Sequence, residues 1–188
     1  EIHLGDIEPL PVLNDEQQQA FTGINALAMS GKSGAALLFG VTGSGKTSVY
    51  IHLITEQLAR GRSVILLVPE IALTPQMIQT FSSHFGDTVA VLHSSLSVGE
   101  RYDEFKRVRS GKARLVIGTR SAVFAPLPDL GLIIMDEEQE PTYCSENPPR
   151  YHTRDVAQFR CAQSGALLLL GSATPTVETV YYAREGRY

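Results

Sequence analysis

Six short apolar runs recur along the chain, each separated from the next by a longer segment of helical period. The runs lack the polar–apolar alternation of a half-exposed sheet, so both faces of each strand should be covered. The predicted strands are residues 35–39, 64–68, 89–92, 115–117, 132–135 and 167–170. Strands that alternate with helices predict one α/β domain, with a mostly parallel sheet, right-handed crossovers and helices on both faces.

Capping residues mark where several of the intervening helices begin. Asn14 with Gln17 has the spacing of a capping box, as does Ser97 with Glu100. Thr74 precedes a proline, which suits the first position of a helix. These signals place helix starts between the predicted strands, as a crossover topology requires.

Composition excludes several classes of protein. A chain of 188 residues with 43% hydrophobic residues can fill one core without a disulfide or metal staple. A net charge of −4 excludes a polycation, and no apolar run approaches the about 20 residues of a membrane helix. Neither an export leader nor a membrane contact is expected. Cys144 and Cys161 form no CxxC pair, which is typical of two reduced thiols in a cytoplasmic protein.

A glycine-rich segment follows the first predicted strand. It reads Gly-Val-Thr-Gly-Ser-Gly-Lys-Thr and fits G-x-x-x-x-G-K-[ST] in full. Such glycines turn backbone N–H groups toward phosphate oxygens at a helix N-terminus. The lysine reaches the β- and γ-phosphates of ATP, and the hydroxyl coordinates Mg²⁺. The predicted nucleotide-binding residues are Gly40, Thr42, Gly43, Ser44, Gly45, Lys46 and Thr47.

An acidic cluster follows the apolar run 132–135. A carboxylate at the end of a parallel strand faces the crevice where such sheets bind ligands. Asp136 is therefore expected to hold Mg²⁺ together with Thr47, while Glu137 orients or deprotonates the attacking water. Lys46, Asp136 and Glu137 form the predicted catalytic set of a P-loop NTPase. The two motifs alone leave kinases, transporter ATPases and helicases open, and the absence of N-K-x-D disfavours a GTPase.

Two other segments narrow the choice. Residues 101–120 hold seven basic residues against two acidic ones, a local net charge of +5 in an acidic chain. This segment is either a phosphate-contacting footprint or an ordinary solvated helix face. Arg120 is better placed than the others, because it follows a predicted strand end. The loop 140–153 has prolines and aromatic rings without periodicity, and is either an ordered functional loop or a disordered surface excursion.

Six motifs follow one another along the chain in the order in which helicase motifs occur. They are residues 13–17, 40–47, 67–76, 118–126, 136–138 and 171–175. Together they resemble the first RecA-like domain of superfamily-two DNA helicases. The segments 68–76 and 150–155 are similar to the PriA family, the bacterial primosomal replication-restart helicases. The resemblance implies a RecA-like helicase domain over residues 13–188, preceded by a linker or boundary segment at residues 1–12.

This resemblance implies an ATP-dependent 3′-to-5′ DNA helicase that acts in replication restart and primosome assembly. Its partners would be single-stranded and forked DNA, with primosome and single-strand-binding proteins contacted through a full-length protein. Gln17 matches the glutamine that reads adenine. The residues that match DNA-contacting positions are Pro69, Thr74, Gln76, Thr119, Arg120, Ser121, Tyr143, Tyr151 and His152. The rings among them would stack on bases, each worth about 1–3 kcal/mol. Gln139, Ser172 and Thr174 match residues that couple nucleotide state to DNA grip.

Two departures and one gap qualify the resemblance. Gln139 stands where the family usually has histidine, so this position cannot take a charge, and Cys144 stands where lysine is common. The family's second RecA-like domain and zinc-binding cysteines are not among the 188 residues. We therefore expect a fragment that binds nucleotide weakly and hardly hydrolyses it, with zinc held only by the missing part. The alternatives are a fork-binding scaffold with a weakened motor, or a related superfamily-two translocase.

Overall fold

A computed structural model of the chain describes residues 7–40 and 45–185, and within them six strands form one sheet. They are β1 (Gly34–Phe39), β2 (Ser63–Leu67), β3 (Val89–Leu92), β4 (Leu115–Gly118), β5 (Leu130–Met135) and β6 (Leu167–Ser172). All paired strands are parallel, in the order β1-β6-β5-β2-β4-β3. The predicted α/β fold is confirmed, and each predicted strand overlaps an observed one.

Six α-helices lie in the same described residues. They are α1 (Asp15–Met29), α2 (Lys46–Ala59), α3 (Pro75–Phe85), α4 (Val98–Arg109), α5 (Thr153–Ser164) and α6 (Val177–Arg184). Capping boxes open α1 at Asn14 and α4 at Ser97, and the Thr74 hydroxyl caps α3, as predicted. None of these helices in the described part of the chain is long and apolar enough to cross a membrane.

The strands are apolar throughout because each face of the sheet has its own core. On β5, Leu132 and Ile134 pack with α1, α2 and α3, which contribute residues such as Ile54. Ile133 and Met135 face the other way, toward residues of α4 and α5. Successive side chains of a strand point to opposite faces, so two apolar layers need an unbroken apolar run. The predicted helices on both faces are confirmed.

Residues 7–14 run across two helices before α1 begins. The Glu8 backbone N–H donates to the Ser83 carbonyl at 3.0 Å. The His52 imidazole forms a 2.7 Å hydrogen bond with the Pro11 carbonyl. As far as it is described, the segment predicted as a linker or boundary is thus attached to α2 and α3.

Candidate nucleotide site and adjoining cleft

The carboxyl ends of all six strands lie along one edge of the sheet, since the strands are parallel. Strand order divides this edge in two. The ends of β1, β6 and β5, which we call the P-loop half, carry the glycine-rich segment, Ser172 and Asp136. The ends of β2, β4 and β3, which we call the cleft half, carry Pro69 and Thr119. Ligands of open parallel sheets bind along this edge, so both halves are candidate sites.

The glycine-rich segment joins β1 to α2 as predicted. Gly45 precedes the helix in the left-handed conformation, at φ 79°. The Lys46 ammonium Nζ donates to the Gly40 carbonyl at 2.8 Å, and the Gly40 N–H donates to the Ser172 carbonyl at 3.1 Å. The lysine is therefore held over the start of the segment, where phosphates would be cradled. Three predicted contacts lie outside the described residues: Thr42, Gly43 and Ser44.

Gln17 lies against the end of the same segment. Its amide oxygen accepts from the Asn14 N–H at 2.9 Å, which closes the capping box of α1. Its amide nitrogen donates to the Gly45 carbonyl at 3.3 Å. A Cβ on Gly45 would lie 1.9 Å from that nitrogen, so any larger residue would displace the Gln17 amide, and the positive φ also disfavours a side chain here. The side chain expected to read adenine is thus placed by α1 directly beside the segment predicted to bind phosphate.

Asp136 is held by groups from three directions. The hydroxyl of Tyr50 donates to its Oδ1 at 2.8 Å, and the hydroxyl of Tyr143 donates to its backbone carbonyl at 2.6 Å. Its own N–H donates to the Leu67 carbonyl of β2 at 2.9 Å. Both tyrosines are buried, at 2% and 1% exposure. The carboxylate therefore sits at a constrained position between the two halves of the edge.

The electrostatics of this carboxylate fit a cation site. Burial raises the pKa of Asp136, and the neighbouring charge of Glu137 acts in the same direction. The hydrogen bond from Tyr50 and the positive charge of Lys46 lower the pKa of Asp136 and oppose that rise. A bound metal ion would lower the pKa of this half-buried carboxylate and so favour its charged form.

The donor set suits magnesium. Thr47 is exposed in the first turn of α2, and Asp136 offers carboxylate oxygens nearby on the same edge. Among residues 7–40 and 45–185, no three His, Cys, Asp or Glu side chains cluster to hold a metal. Mg²⁺ usually takes only one or two carboxylates, with substrate phosphates and waters completing its shell. One hydroxyl and one carboxylate beside the segment predicted to bind phosphate are consistent with that preference.

Glu137 is tied to the end of β6 through Gln139. The Gln139 amide nitrogen donates to Glu137 Oε2 at 2.6 Å, and the Ser172 hydroxyl donates to Gln139 Oε1 at 2.5 Å. The Thr174 N–H donates to the Ser172 hydroxyl oxygen at 3.0 Å. Glu137 itself has a positive φ of 48°, a strained conformation for a residue with a side chain. The three residues predicted to couple, Gln139, Ser172 and Thr174, are brought together with Glu137.

Sequence reasoning missed Glu138. It is buried, at 4% exposure, and its Oε1 accepts from the Thr176 N–H at 3.2 Å. Its Oε2 lies 3.8 Å from Arg154 Nη1, which also donates to the Thr179 hydroxyl at 3.1 Å. The pair therefore links the end of β5 to α5 and α6. Its members are distant in sequence, and no periodicity connects them.

The cleft half contains a cavity of about 450 Å³ between the ends of β2 and β4 and the loop 140–153. Predicted DNA-contacting residues line it: Pro69, Thr119, Arg120, Ser121, Tyr143 and Tyr151. Glu70 and Glu146 line it as well, so its wall is not uniformly basic. Thr74 and Gln76 are exposed at the start of α3 and are not among the lining residues. The structure therefore brings six of the nine predicted DNA-contacting residues together in the cavity wall, and Thr74, Gln76 and His152 lie outside its lining.

The loop 140–153 is ordered by backbone contacts. Arg120 donates to the carbonyls of Thr142 and Cys144 at 3.0 and 2.9 Å. Cys144 and His152 pair as an antiparallel bridge. This is the ordered form of the loop, rather than the disordered excursion. The Arg120 guanidinium, expected to contact DNA, is engaged in holding the wall of the cleft.

The role expected for Tyr143 is corrected. Its ring is 1% exposed and its hydroxyl bonds the Asp136 carbonyl, so the structure does not present it to a base. Tyr151 and His152 are half-buried. Tyr151 meets Phe124 edge to face, with ring centroids 5.1 Å apart, and His152 Nδ1 accepts from the first turn of α5. Burial of Tyr143 has a physical cause, because the phenol fills the apolar layer beneath the loop.

Some basic side chains of the segment 101–120 form contacts within the protein and so stabilise the fold. Arg107 pairs with Glu104 at 2.5 Å, and Arg114 donates to the Arg62 carbonyl at 3.0 Å. Lys106 lies over the Tyr102 ring, 4.2 Å from its centroid. The positive charge of this segment is therefore not one continuous footprint. For Lys106 the solvated helix face is the interpretation that fits.

Comparisons with known proteins assign the domain. A family model described as DEAD/DEAH box helicase matches residues 14–182. The chain belongs to this family. Among curated proteins, the replication restart protein PriA of Bacillus subtilis (strain 168) is 50% identical over 181 residues, covering 96% of the chain and 22% of that protein. PriA of Treponema pallidum (strain Nichols) is 48% identical over 174 residues, covering 93% and 26%.

Solved structures of other helicases share the fold. RecG bound to a three-way DNA junction matches with a TM-score of 0.71 at 27% identity, covering 95% of the chain and 23% of RecG. The Hef helicase domain of Pyrococcus furiosus matches at 0.62 with 21% identity, covering 94% and 38%, and supports the fold alone. The chain spans about a quarter of the length of the PriA relatives it matches. Within the DEAD/DEAH box family it is a PriA-like helicase domain, the first RecA-like domain.

Proposed function

We propose that this domain is the ATP- and Mg²⁺-dependent motor of a bacterial 3′-to-5′ DNA helicase that acts in replication restart and primosome assembly. The observation that carries the proposal is the hydrogen-bonded series from Glu137 through Gln139 to Ser172. It ties the expected catalytic carboxylate to the end of β6, beside Lys46 and Asp136. A motor needs such a connection, because nucleotide state must move a second element.

The residues of the P-loop half divide the chemistry among them. Lys46 would exchange its bond to the Gly40 carbonyl for the β- and γ-phosphates of ATP. Thr47 and Asp136 would hold Mg²⁺, which supplies charge neutralisation on the phosphates when bound. Glu137 would orient or deprotonate the attacking water, with its carboxylate steered by the Gln139 amide. Gln17 would read adenine from its place beside Gly45.

The cleft half is proposed to take single-stranded DNA. Its wall offers backbone groups of the loop 140–153 together with Thr119, Ser121 and the half-buried ring of Tyr151. Such surfaces hold a strand by its backbone and by stacking, without reading sequence. Forked DNA, primosome proteins and single-strand-binding proteins would be engaged through the full-length protein. We place its action in the cytoplasm.

The test compares the full-length protein with its Lys46→Ala variant for unwinding of a forked duplex. Lys32→Ala is the matched control, since Lys32 is exposed just before β1, at the opposite edge of the sheet. We expect Lys46→Ala to abolish unwinding while fork binding persists, and Lys32→Ala to change neither. Equal unwinding by wild type and Lys46→Ala would contradict the motor.

A scaffold that binds forks with a weakened motor is the second candidate, favoured by the uncharged Gln139. In that case wild type and Lys46→Ala both bind forks and neither unwinds them. A related superfamily-two translocase would hydrolyse ATP on DNA without separating the strands. For the 188 residues alone we propose weak nucleotide binding and scarcely any hydrolysis. Robust DNA-stimulated turnover by the purified chain would contradict that part of the proposal.

A further inference from the structure

Tyr50 is a buried polar group that the proposed chemistry does not use. It lies one turn after Lys46 on α2, is 2% exposed, and its ring belongs to the apolar layer shared with α1 and α3. A phenol hydroxyl buried among apolar side chains must find a partner, or it destabilises the fold. Here the partner is Asp136 Oδ1, at 2.8 Å.

Gly171 provides the room for this contact. It lies in β6, between β1 and β5, one residue before Ser172. A Cβ on Gly171 would lie 1.8 Å from the Tyr50 hydroxyl oxygen and 2.9 Å from Asp136 Oδ1. The side-chain position of residue 171 is thus occupied by the hydroxyl itself. Any larger residue would displace either the tyrosine or the carboxylate. The hydrogen bond therefore depends on two positions, the hydroxyl of Tyr50 on α2 and the absence of a side chain at Gly171 on β6.

We propose that Tyr50 and Gly171 are positioning residues that fix the orientation of the Asp136 carboxylate for Mg²⁺ bound with nucleotide. The inference rests on the proposed function, in which Asp136 is a magnesium ligand. The Tyr50 hydroxyl holds Oδ1 from α2, the helix that also carries Lys46 and Thr47. This hydrogen bond thereby fixes the position of the Asp136 carboxylate relative to α2, the helix proposed to bind phosphate, with β6 lying between them. A ligand held in one orientation loses less freedom when the ion binds.

The experiment measures binding of a fluorescent ADP analogue to the full-length protein, with Mg²⁺ and with EDTA. Tyr50→Phe keeps the ring and removes only the hydroxyl. We expect its affinity in EDTA to equal that of wild type, while the gain in affinity on adding Mg²⁺ falls about tenfold. Gly171→Ala should lose the same gain. In the ATPase assay both should need more Mg²⁺ for half-maximal rate.

Tyr143→Phe is the matched control, because it also removes a buried hydroxyl bonded to Asp136, but at the backbone carbonyl. It should retain the full gain with Mg²⁺. If Tyr50→Phe retains that gain while Asp136→Ala loses it, the positioning role is wrong and the proposed function stands. If Asp136→Ala also retains it, Asp136 is not the ligand and the proposed function fails at that residue.

A structural role alone would give a different result. Tyr50→Phe would then weaken binding equally in Mg²⁺ and in EDTA, and that outcome overturns the proposal. Thermal unfolding of each variant checks that the comparison is made on folded protein. Should Gly171→Ala fail to fold, Tyr50→Phe decides the question by itself, since loss of one oxygen leaves the apolar packing of the ring in place.

Discussion

The two halves of the sheet edge are built by opposite means. In the P-loop half, the residues expected to couple and catalyse include a series of side chains that bond to one another, as Gln139 does to Glu137 and Ser172 does to Gln139, although Lys46 bonds to a backbone carbonyl. In the cleft half, the side chains matched to DNA contacts bond to backbone, as Arg120 does to two carbonyls of the loop 140–153. The P-loop half thus depends on side-chain identity, and the cleft half on the shape that its side chains maintain.

The largest effect should come from Glu137→Gln in the full-length protein. Loss of a general base or water-orienting carboxylate lowers the rate by about 10²–10⁴-fold, while nucleotide binding remains. The measurement is DNA-stimulated ATP hydrolysis, with nucleotide affinity determined separately. Glu146→Gln is the matched control from the cleft half, where Glu146 is exposed. An equal loss in both variants would show that the two halves do not differ as described.

A smaller loss is expected from Gln139→Ala, which breaks the series between Glu137 and Ser172. Glu137 and its backbone stay in place, so basal hydrolysis should fall only a few-fold. Stimulation of hydrolysis by DNA should fall about tenfold, because the Glu137 carboxylate is no longer connected to β6 by hydrogen bonds. The measurement is the ratio of hydrolysis rates with and without single-stranded DNA. An unchanged ratio would mean that the hydrogen-bonded series does not transmit the effect of DNA.

Arg120→Ala sharpens the description of the cleft half. Because the guanidinium holds the loop 140–153, its loss should weaken binding of single-stranded DNA several-fold and speed amide exchange at Ser145. A side chain that contacts a phosphate contributes about one unit to the salt slope of binding. We expect no change in that slope for Arg120→Ala. A slope reduced by about one would instead support the direct contact that the resemblance implies.

The sequence was sufficient to predict those features that a few contiguous residues determine. The segment from Gly40 to Lys46 needs only a preceding strand and a following helix, and both are visible as local patterns. The position of Asp136 at the ligand edge could be predicted for a similar reason, since a polar residue at the end of an apolar strand reaches that edge, and its role there stays a prediction. The capping boxes of α1 and α4 are local as well, and they are confirmed.

It was insufficient where a residue's role depends on a distant partner. Tyr143 resembles a stacking ring in a loop, but its partner is the backbone carbonyl of Asp136, which no pattern indicates. Glu138 resembles one more solvated acid, although Arg154 and the start of α6 bury it. The correction at Tyr143 and the omission of Glu138 both arise from packing, which decides whether a polar group faces solvent or a neighbour.

The smallest effect on function should come from chemical modification of a cysteine. One of the two cysteines is buried, and the other is exposed in the cleft half. Burial raises the pKa of Cys161 to about 12, so its thiol stays protonated and unreactive at pH 8, since only the thiolate attacks. Cys144 is exposed in the loop 140–153 and lines the cleft. A maleimide should therefore modify Cys144 in the folded protein, and Cys161 only on unfolding.

Modified protein should bind single-stranded DNA about twofold to fivefold more weakly, since the added group occupies the cleft without removing a charge. Its Mg²⁺-dependent nucleotide affinity should not change, and Cys144→Ser protein exposed to the same reagent is the control. Loss of nucleotide affinity on modification at Cys144 would show that the cleft wall and the P-loop half respond as one unit.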